Sequence, residues 1–183
     1  MTSLIVVDVQ NDFCPGGALA TADGDRVAAG LAQLLAGPHP YRHLIATQDW
    51  HIDPGSHFSE QPDFVDSWPV HCRADSAGAQ FHPALADAAF DAVFRKGQYT
   101  AAYSGFEGTE ATGLSLERWL RDQDVTRIDV AGIATDFCVR ATVLDALSAG
   151  FEVRVLTDLV SAVAPDSGAR ALEEMQAAGA QLV

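Results

Sequence analysis

Apolar residues in this chain follow two alternating patterns. Short uninterrupted runs, rich in β-branched residues, occur at Leu4–Val9, His43–Thr47, Ala92–Phe94, Arg127–Ile133, Glu152–Thr157 and Ala180–Val183. Continuous rather than alternating hydrophobicity marks strands buried on both faces, as in a parallel sheet. Between them, Gly24–Leu35, Leu114–Gln123, Asp136–Ala149 and Ser167–Ala178 carry apolar residues at three- and four-residue spacing, the period of a helix with one buried face. Gly150 and Gly179 follow two of these where a C-terminal cap belongs. Strand, helix, strand repeated in this way predicts an α/β fold of three layers, αβα, around a mainly parallel six-stranded sheet with right-handed crossovers.

One stretch breaks the pattern. Residues 49–82 hold four of the six histidines and two of the three tryptophans, with several prolines and no clean periodicity. A loop that long inside a compact domain is more often functional than idle.

Composition narrows the function. At 183 residues the chain has the length of one domain, residues 1–183, and its 48% hydrophobic content is enough for a packed core. A net charge of −14, with no run of Lys or Arg, repels phosphate backbones and anionic membranes. Nucleic acid and membrane partners are therefore not expected. The start, Met1 to Asp8, lacks the basic and long apolar regions of a signal peptide, so a cytoplasmic protein is expected. Three cysteines without Cys-x-x-Cys spacing argue against both a disulfide framework and a structural zinc site.

In open α/β sheets ligands bind beyond the carboxyl ends of the strands. Asp8 lies near the end of the first apolar run, Asp49 just after the second, Lys96 after the third and Cys138 shortly after the fourth, so all four should crowd one edge of the sheet. Cys138 sits at a strand-to-helix junction that Thr135 or Asp136 could cap, and a helix N-terminus lowers a thiol pKa. Taken alone, such a cysteine is an inert small hydrophobe, and it becomes a nucleophile only if partners converge on it. Asp8, emerging from an apolar strand, is either a capping acid or an acid/base whose pKa is raised by burial. Lys96 is the only lysine, all ten other basic residues being arginine. A compact ammonium at that place suits stabilisation of a thiolate.

The long loop offers a second constellation: Asp49, His51, His57 and His71, one carboxylate and three imidazoles. That donor set suits zinc, iron or manganese and is too nitrogen-rich for calcium or magnesium. Ordinary hydrogen bonding of a His-rich loop accounts for it equally well. Phe13, Trp68, Tyr103 and Phe137 read by default as core packing, or else as the wall of a flat apolar pocket. Cys14, Cys72, His39, His43 and His82 read as structural.

Taken together, Val7-Asp8-Val9-Gln10-Asn11-Asp12-Phe13, Asp49-Trp50-His51, Ser67-Trp68-Pro69-Val70-His71-Cys72, Lys96-Gly97, Tyr103-Ser104-Gly105-Phe106 and Gly132-Ile133-Ala134-Thr135-Asp136-Phe137-Cys138-Val139 resemble, from end to end, the nicotinamidase/pyrazinamidase family of isochorismatase-like cysteine hydrolases. The resemblance implies a Rossmann-like topology and a catalytic triad of Asp8, Lys96 and Cys138. It implies one divalent metal ion held by Asp49, His51, His57 and His71 and bound by the pyridine nitrogen of the substrate. It further implies a ring pocket of Phe13, Trp68, Tyr103, Ile133 and Phe137, a cis peptide between Ile133 and Ala134, and an oxyanion hole from the backbone N–H groups of Ala134 and Cys138. The expected substrates are small aromatic amides, nicotinamide and pyrazinamide, and the expected context is nicotinamide salvage toward NAD.

Overall fold

The computed structural model of the chain describes residues 2–183. Among them, β1 (Thr2–Val7), β2 (Leu44–Asp49), β3 (Ala92–Lys96), β4 (Arg127–Ile133), β5 (Glu152–Ser161) and β6 (Gln181–Leu182) form one sheet in the order β3-β2-β1-β4-β5-β6. Every pairing is parallel. The helices are α1 (Gly24–Ala36), α2 (Leu116–Asp122), α3 (Arg140–Ser148) and α4 (Pro165–Ala177).

The continuous apolar runs are explained by two cores, one on each face of the sheet. Along β1, Leu4 and Val6 pack with Val27 and Leu31 of α1. Ile5 and Val7 point the other way, toward Leu116 and Leu120 of α2, Val143 of α3 and Met175 of α4. Each of these side chains is completely buried, and full burial of a Leu or Ile contributes about 1.5–3 kcal/mol. The predicted three-layer sandwich is thus present, with α1 on one side and α2, α3 and α4 on the other.

The boundaries depart from the apolar runs where polar residues finish the strands. β1 ends at Val7 rather than Val9, because Asp8 takes a positive φ of 47° and turns the chain. β2 and β3 run past their apolar cores to Asp49 and Lys96, two polar residues that the register sets opposite each other. The helix expected from Asp136 begins at Arg140, after a π-helical turn over Thr135–Val139. At the centre, Gly132 (φ 123°) faces Val7, and a Cβ there would lie 2.6 Å from the Val7 backbone nitrogen. Only glycine lets β4 press this closely on the end of β1.

From β1 the chain winds outward to β2 and β3, then returns to lay β4 on the other side of β1. The carboxyl ends of β1, β2, β3 and β4 therefore meet at the topological switch point, where such sheets bind ligands.

Candidate active site

All four residues expected at this edge converge. Asp8 is fully buried and its Oδ1 accepts a hydrogen bond of 2.6 Å from Thr47 Oγ1. Lys96 Nζ lies 2.9 Å from Asp8 Oδ2, donates to Asp49 Oδ1 and to the Ala102 carbonyl (3.2 Å), and approaches Cys138 Sγ at 3.5 Å. Lys96 is itself completely buried, which an ammonium tolerates only when paired and hydrogen-bonded.

Burial and charge set the protonation states. Burial would lower the Lys96 pKa, yet the Asp49 and Asp8 carboxylates raise it well above the usual lysine range. Burial would raise Asp49, but the Lys96 ammonium beside it holds it well below the usual carboxylate range. Asp8 is raised, by burial first, with Lys96 opposing and Asp49 adding to the rise. Burial pushes the Cys138 thiol well up; Lys96 opposes, while Asp8 and Asp49 reinforce it. The expectation of a thiol lowered by a helix N-terminus is thus overturned. The turn carrying Cys138 is π-helical and uncapped by any side chain, and Cys138 itself is buried, so desolvation outweighs the dipole. Burial therefore favours a neutral thiol as the resting group. Nor does Asp136 cap its own helix: its carboxylate accepts from Val163 N, Ala164 N and Ser167 Oγ at the start of α4.

Asp49 turns its second oxygen toward three buried histidines. Its Oδ2 is 3.5 Å from His51 Nε2 and 3.7 Å from His71 Nε2. His51 Nδ1 lies 2.6 Å from the Gly97 carbonyl and His71 Nδ1 2.8 Å from the Pro69 carbonyl. A carbonyl only accepts, so both Nδ1 atoms carry the proton and both Nε2 atoms present lone pairs. One ring nitrogen each from His51, His57 and His71 lie within 4.8 Å of one another. His51 Nε2 and His57 Nδ1 are buried without a partner, a cost of about 1–3 kcal/mol each that a cation would remove. Burial, then the neighbouring His51 and His71, pushes His57 down to about 4, so His57 is neutral. Neutral imidazoles, a carboxylate and orphaned nitrogens fit a divalent metal ion.

A second cluster, Cys14, Asp25 and His82, looks similar by composition but not by hydrogen bonding. His82 Nδ1 accepts from the Ala84 N–H, so the proton resides on Nε2, 3.3 Å from Asp25 Oδ1. That ring is a hydrogen-bond donor, as its structural reading expects.

Beside the triad and the histidines opens a pocket. Its walls are Phe13, Trp68, Tyr103 and Phe137, with Asp49, His57, His71, Ala134 and Cys138 at its base. Trp68 and Phe137 meet edge to face at 4.9 Å, and Trp68 Nε1 donates to Tyr103 Oη at 3.0 Å. Ile133 does not line this space. As the last residue of β4 it is completely buried in the core against α1, and Leu19, Thr21 and Val163 complete the wall instead. The Ile133–Ala134 peptide is cis, as expected.

Sequence reading missed the residues that hold this arrangement. Gln10 Nε2 donates to the carbonyls of Asp49 and Ala79, both at 2.8 Å, and its Oε1 accepts from Asp49 N at 2.9 Å. Asp12 accepts from Cys72 N at 2.7 Å, anchoring the segment with His71. Gly97 (φ 75°) leaves room for His51, whose Cε1 would lie 2.6 Å from a Cβ there. Gln10, Asp12 and Gly97 stand inside the quoted motifs, which was the available signal; Thr47 closes a predicted strand and carried none.

The model of the isochorismatase domain matches residues 2–183. The chain is 52% identical to the nicotinamidase/pyrazinamidase of Mycobacterium tuberculosis, across all of this chain and 98% of that protein. It is 42% identical to the nicotinamidase of Escherichia coli, covering 98% and 93%. Among solved structures, PnC1 from L. infantum in complex with nicotinate superposes with a TM-score of 0.87 at 36% identity, covering all of this chain and 92% of that one. The pyrazinamidase of Pyrococcus horikoshii in complex with zinc gives 0.81 at 39%, covering all of this chain and 98% of that one.

Proposed function

The chain belongs to the isochorismatase family, and we propose that within it this protein is a nicotinamidase that hydrolyses nicotinamide to nicotinate and ammonia, with pyrazinamide as a second substrate. The observation that carries the reading is the meeting of two constellations across Asp49. Asp8, Lys96 and Cys138 lie on one side, His51, His57 and His71 on the other, and one aromatic-walled pocket touches both.

The pocket takes a flat ring between Phe13, Trp68, Tyr103 and Phe137. Cys138 Sγ attacks the carboxamide carbon as its proton passes to Asp8, and the carbonyl electron pair moves to oxygen. Lys96, 3.5 Å from the sulfur, stabilises the charge that develops there. The backbone N–H groups of Ala134 and Cys138 hold the oxyanion, and a donor of that kind is worth about 2.7–4 kcal/mol. Asp8 then protonates the leaving nitrogen as the C–N bond breaks, which releases ammonia and leaves a thioester. Asp8 next takes a proton from water, the resulting hydroxide displaces the thiolate, and nicotinate departs while Cys138 regains its proton.

Asp49, His51, His57 and His71 would hold one divalent ion, whether zinc, iron or manganese, which supplies a Lewis-acid contact to the pyridine nitrogen. Three free cysteines suit a reducing compartment, so we place the reaction in the cytoplasm, feeding nicotinamide back toward pyridine nucleotides.

The test is ammonia release from nicotinamide by the purified protein, before and after chelation and metal add-back, with Cys138→Ala alongside. Release that needs both metal and Cys138 is expected. No release from fully metallated protein would sink the reading, and carbamoyl and ureido amides would be assayed next.

A further inference from the structure

The nucleophile's turn makes one connection that the mechanism above does not use. Asp136, two residues before Cys138, reaches across to the segment that leads into α4. Its Oδ1 accepts from Val163 N at 2.9 Å, and its Oδ2 from Ala164 N at 3.3 Å and from Ser167 Oγ. Ala164 is the N-cap of α4 and has no side chain to cap with. The helix start therefore borrows its carboxylate from another element, where orphan N–H groups and the helix dipole both favour an anion. Val163, pinned by the first of these bonds, stands on the wall of the pocket although it is 44% exposed.

We propose that Asp136 is a positioning residue of the active site: from the turn that bears the nucleophile it fastens the start of α4, so that Val163 closes one wall against the bound ring. The inference rests on the reading of this pocket as the substrate site. Three further contacts separate the wall from the nucleophile. Arg140 binds Glu174 through two hydrogen bonds of 2.7 and 2.6 Å, so α4 remains docked farther along without Asp136. The Cys138 carbonyl accepts from Thr142 Oγ1 at 2.7 Å and Val139 N donates to the Ala134 carbonyl at 3.0 Å, so the nucleophile is held independently. Loss of Asp136 then costs ring binding and leaves the chemical step in place.

Ammonia release from nicotinamide by the unaltered protein is measured first, and its outcome judges the functional reading alone. Asp136→Ala is then expected to raise KM about tenfold with kcat held within about twofold, the signature of lost uniform binding. Asp136→Asn should recover most of the loss, because its amide oxygen still accepts an N–H and its NH2 can donate to Ser167 Oγ. Val163→Ala should raise KM in the unaltered protein but add little on top of Asp136→Ala, since both remove the same wall. Calorimetry of nicotinate binding to Cys138→Ala protein, with and without Asp136→Ala, should show the same loss where no reaction occurs. If Asp136→Ala does not fold, Ser167→Ala replaces it, with an expected KM rise of about two- to threefold. An unchanged KM, a fall in kcat at unchanged KM, or an Asn variant no better than Ala would each overturn the proposal.

Discussion

Asp49 and Lys96 are register partners at the ends of β2 and β3, and the Lys96 ammonium donates to Asp49 Oδ1 while Oδ2 of the same carboxylate faces His51 and His71. One carboxylate thus serves both constellations. Lys96 in turn pairs with both Asp49 and Asp8, two buried acids that raise its pKa. Lys96→Met should therefore strand two buried carboxylates. Breaking a buried pair by removing one partner costs about 3–5 kcal/mol, and urea unfolding should show a loss of that order together with a collapse of turnover. A variant as stable as the parent would show that the carboxylates are not held by this ammonium.

The Asp8 carboxyl must be ionised to accept the thiol proton, and burial raises its pKa while the Thr47 hydroxyl lowers it. The sign follows directly. Activity falls as pH drops through the raised Asp8 value, and removing the hydroxyl moves that acid limb to higher pH. Thr47→Val should shift the acid limb of the kcat/KM profile upward, whereas Thr47→Ser, which keeps the donor, should restore it. A Val profile superimposable on the parent would remove Thr47 from the account.

Much of this centre was legible in the sequence because its reactive groups end apolar strands, and polar residues in such places have few bland explanations. Asp8, Asp49 and Lys96 were found that way, and the lone lysine was a compositional oddity as well. What could not be read were contacts between distant segments. Gln10 and Asp49 are 39 residues apart, as are Thr47 and Asp8, and no local pattern announces such pairings. Ile133 was misplaced because strand alternation at the end of β4 decides its side, and that side is the core against α1. The thiol's environment was misjudged because burial is a property of the whole fold rather than of the turn.

His57 carries a pH signature for folding. Its pKa is pushed down to about 4 by burial and by its histidine neighbours, below the usual value of 6.5. Between those values the unfolded chain binds a proton that the folded chain refuses, so stability rises with pH across the window and is lost on acidification. Metal-free protein should lose stability in urea as pH falls from about 6.5 to about 4, and metal should deepen that dependence because the ion competes with the same proton. Substitution of His57 by Gln should flatten the dependence in the metal-free protein; an unchanged slope would assign the proton elsewhere.

Gly97 offers the cleanest test of the metal reading, because it touches no substrate. Its carbonyl fixes the His51 tautomer, its φ is 75°, and a Cβ would lie 2.6 Å from His51 Cε1 and 2.9 Å from Nδ1. Gly97→Ala therefore strains the backbone and pushes the imidazole from its place, and disturbing the support of a ligating histidine typically costs about 10–100-fold in metal affinity. Titration with zinc against a competing chelator should show a loss in that range, with turnover recovering as metal is raised. Turnover that stays low at saturating metal would mean that Gly97 acts on Lys96, its chain neighbour, rather than through His51. Unaltered affinity would place His51 outside the metal's ligand set.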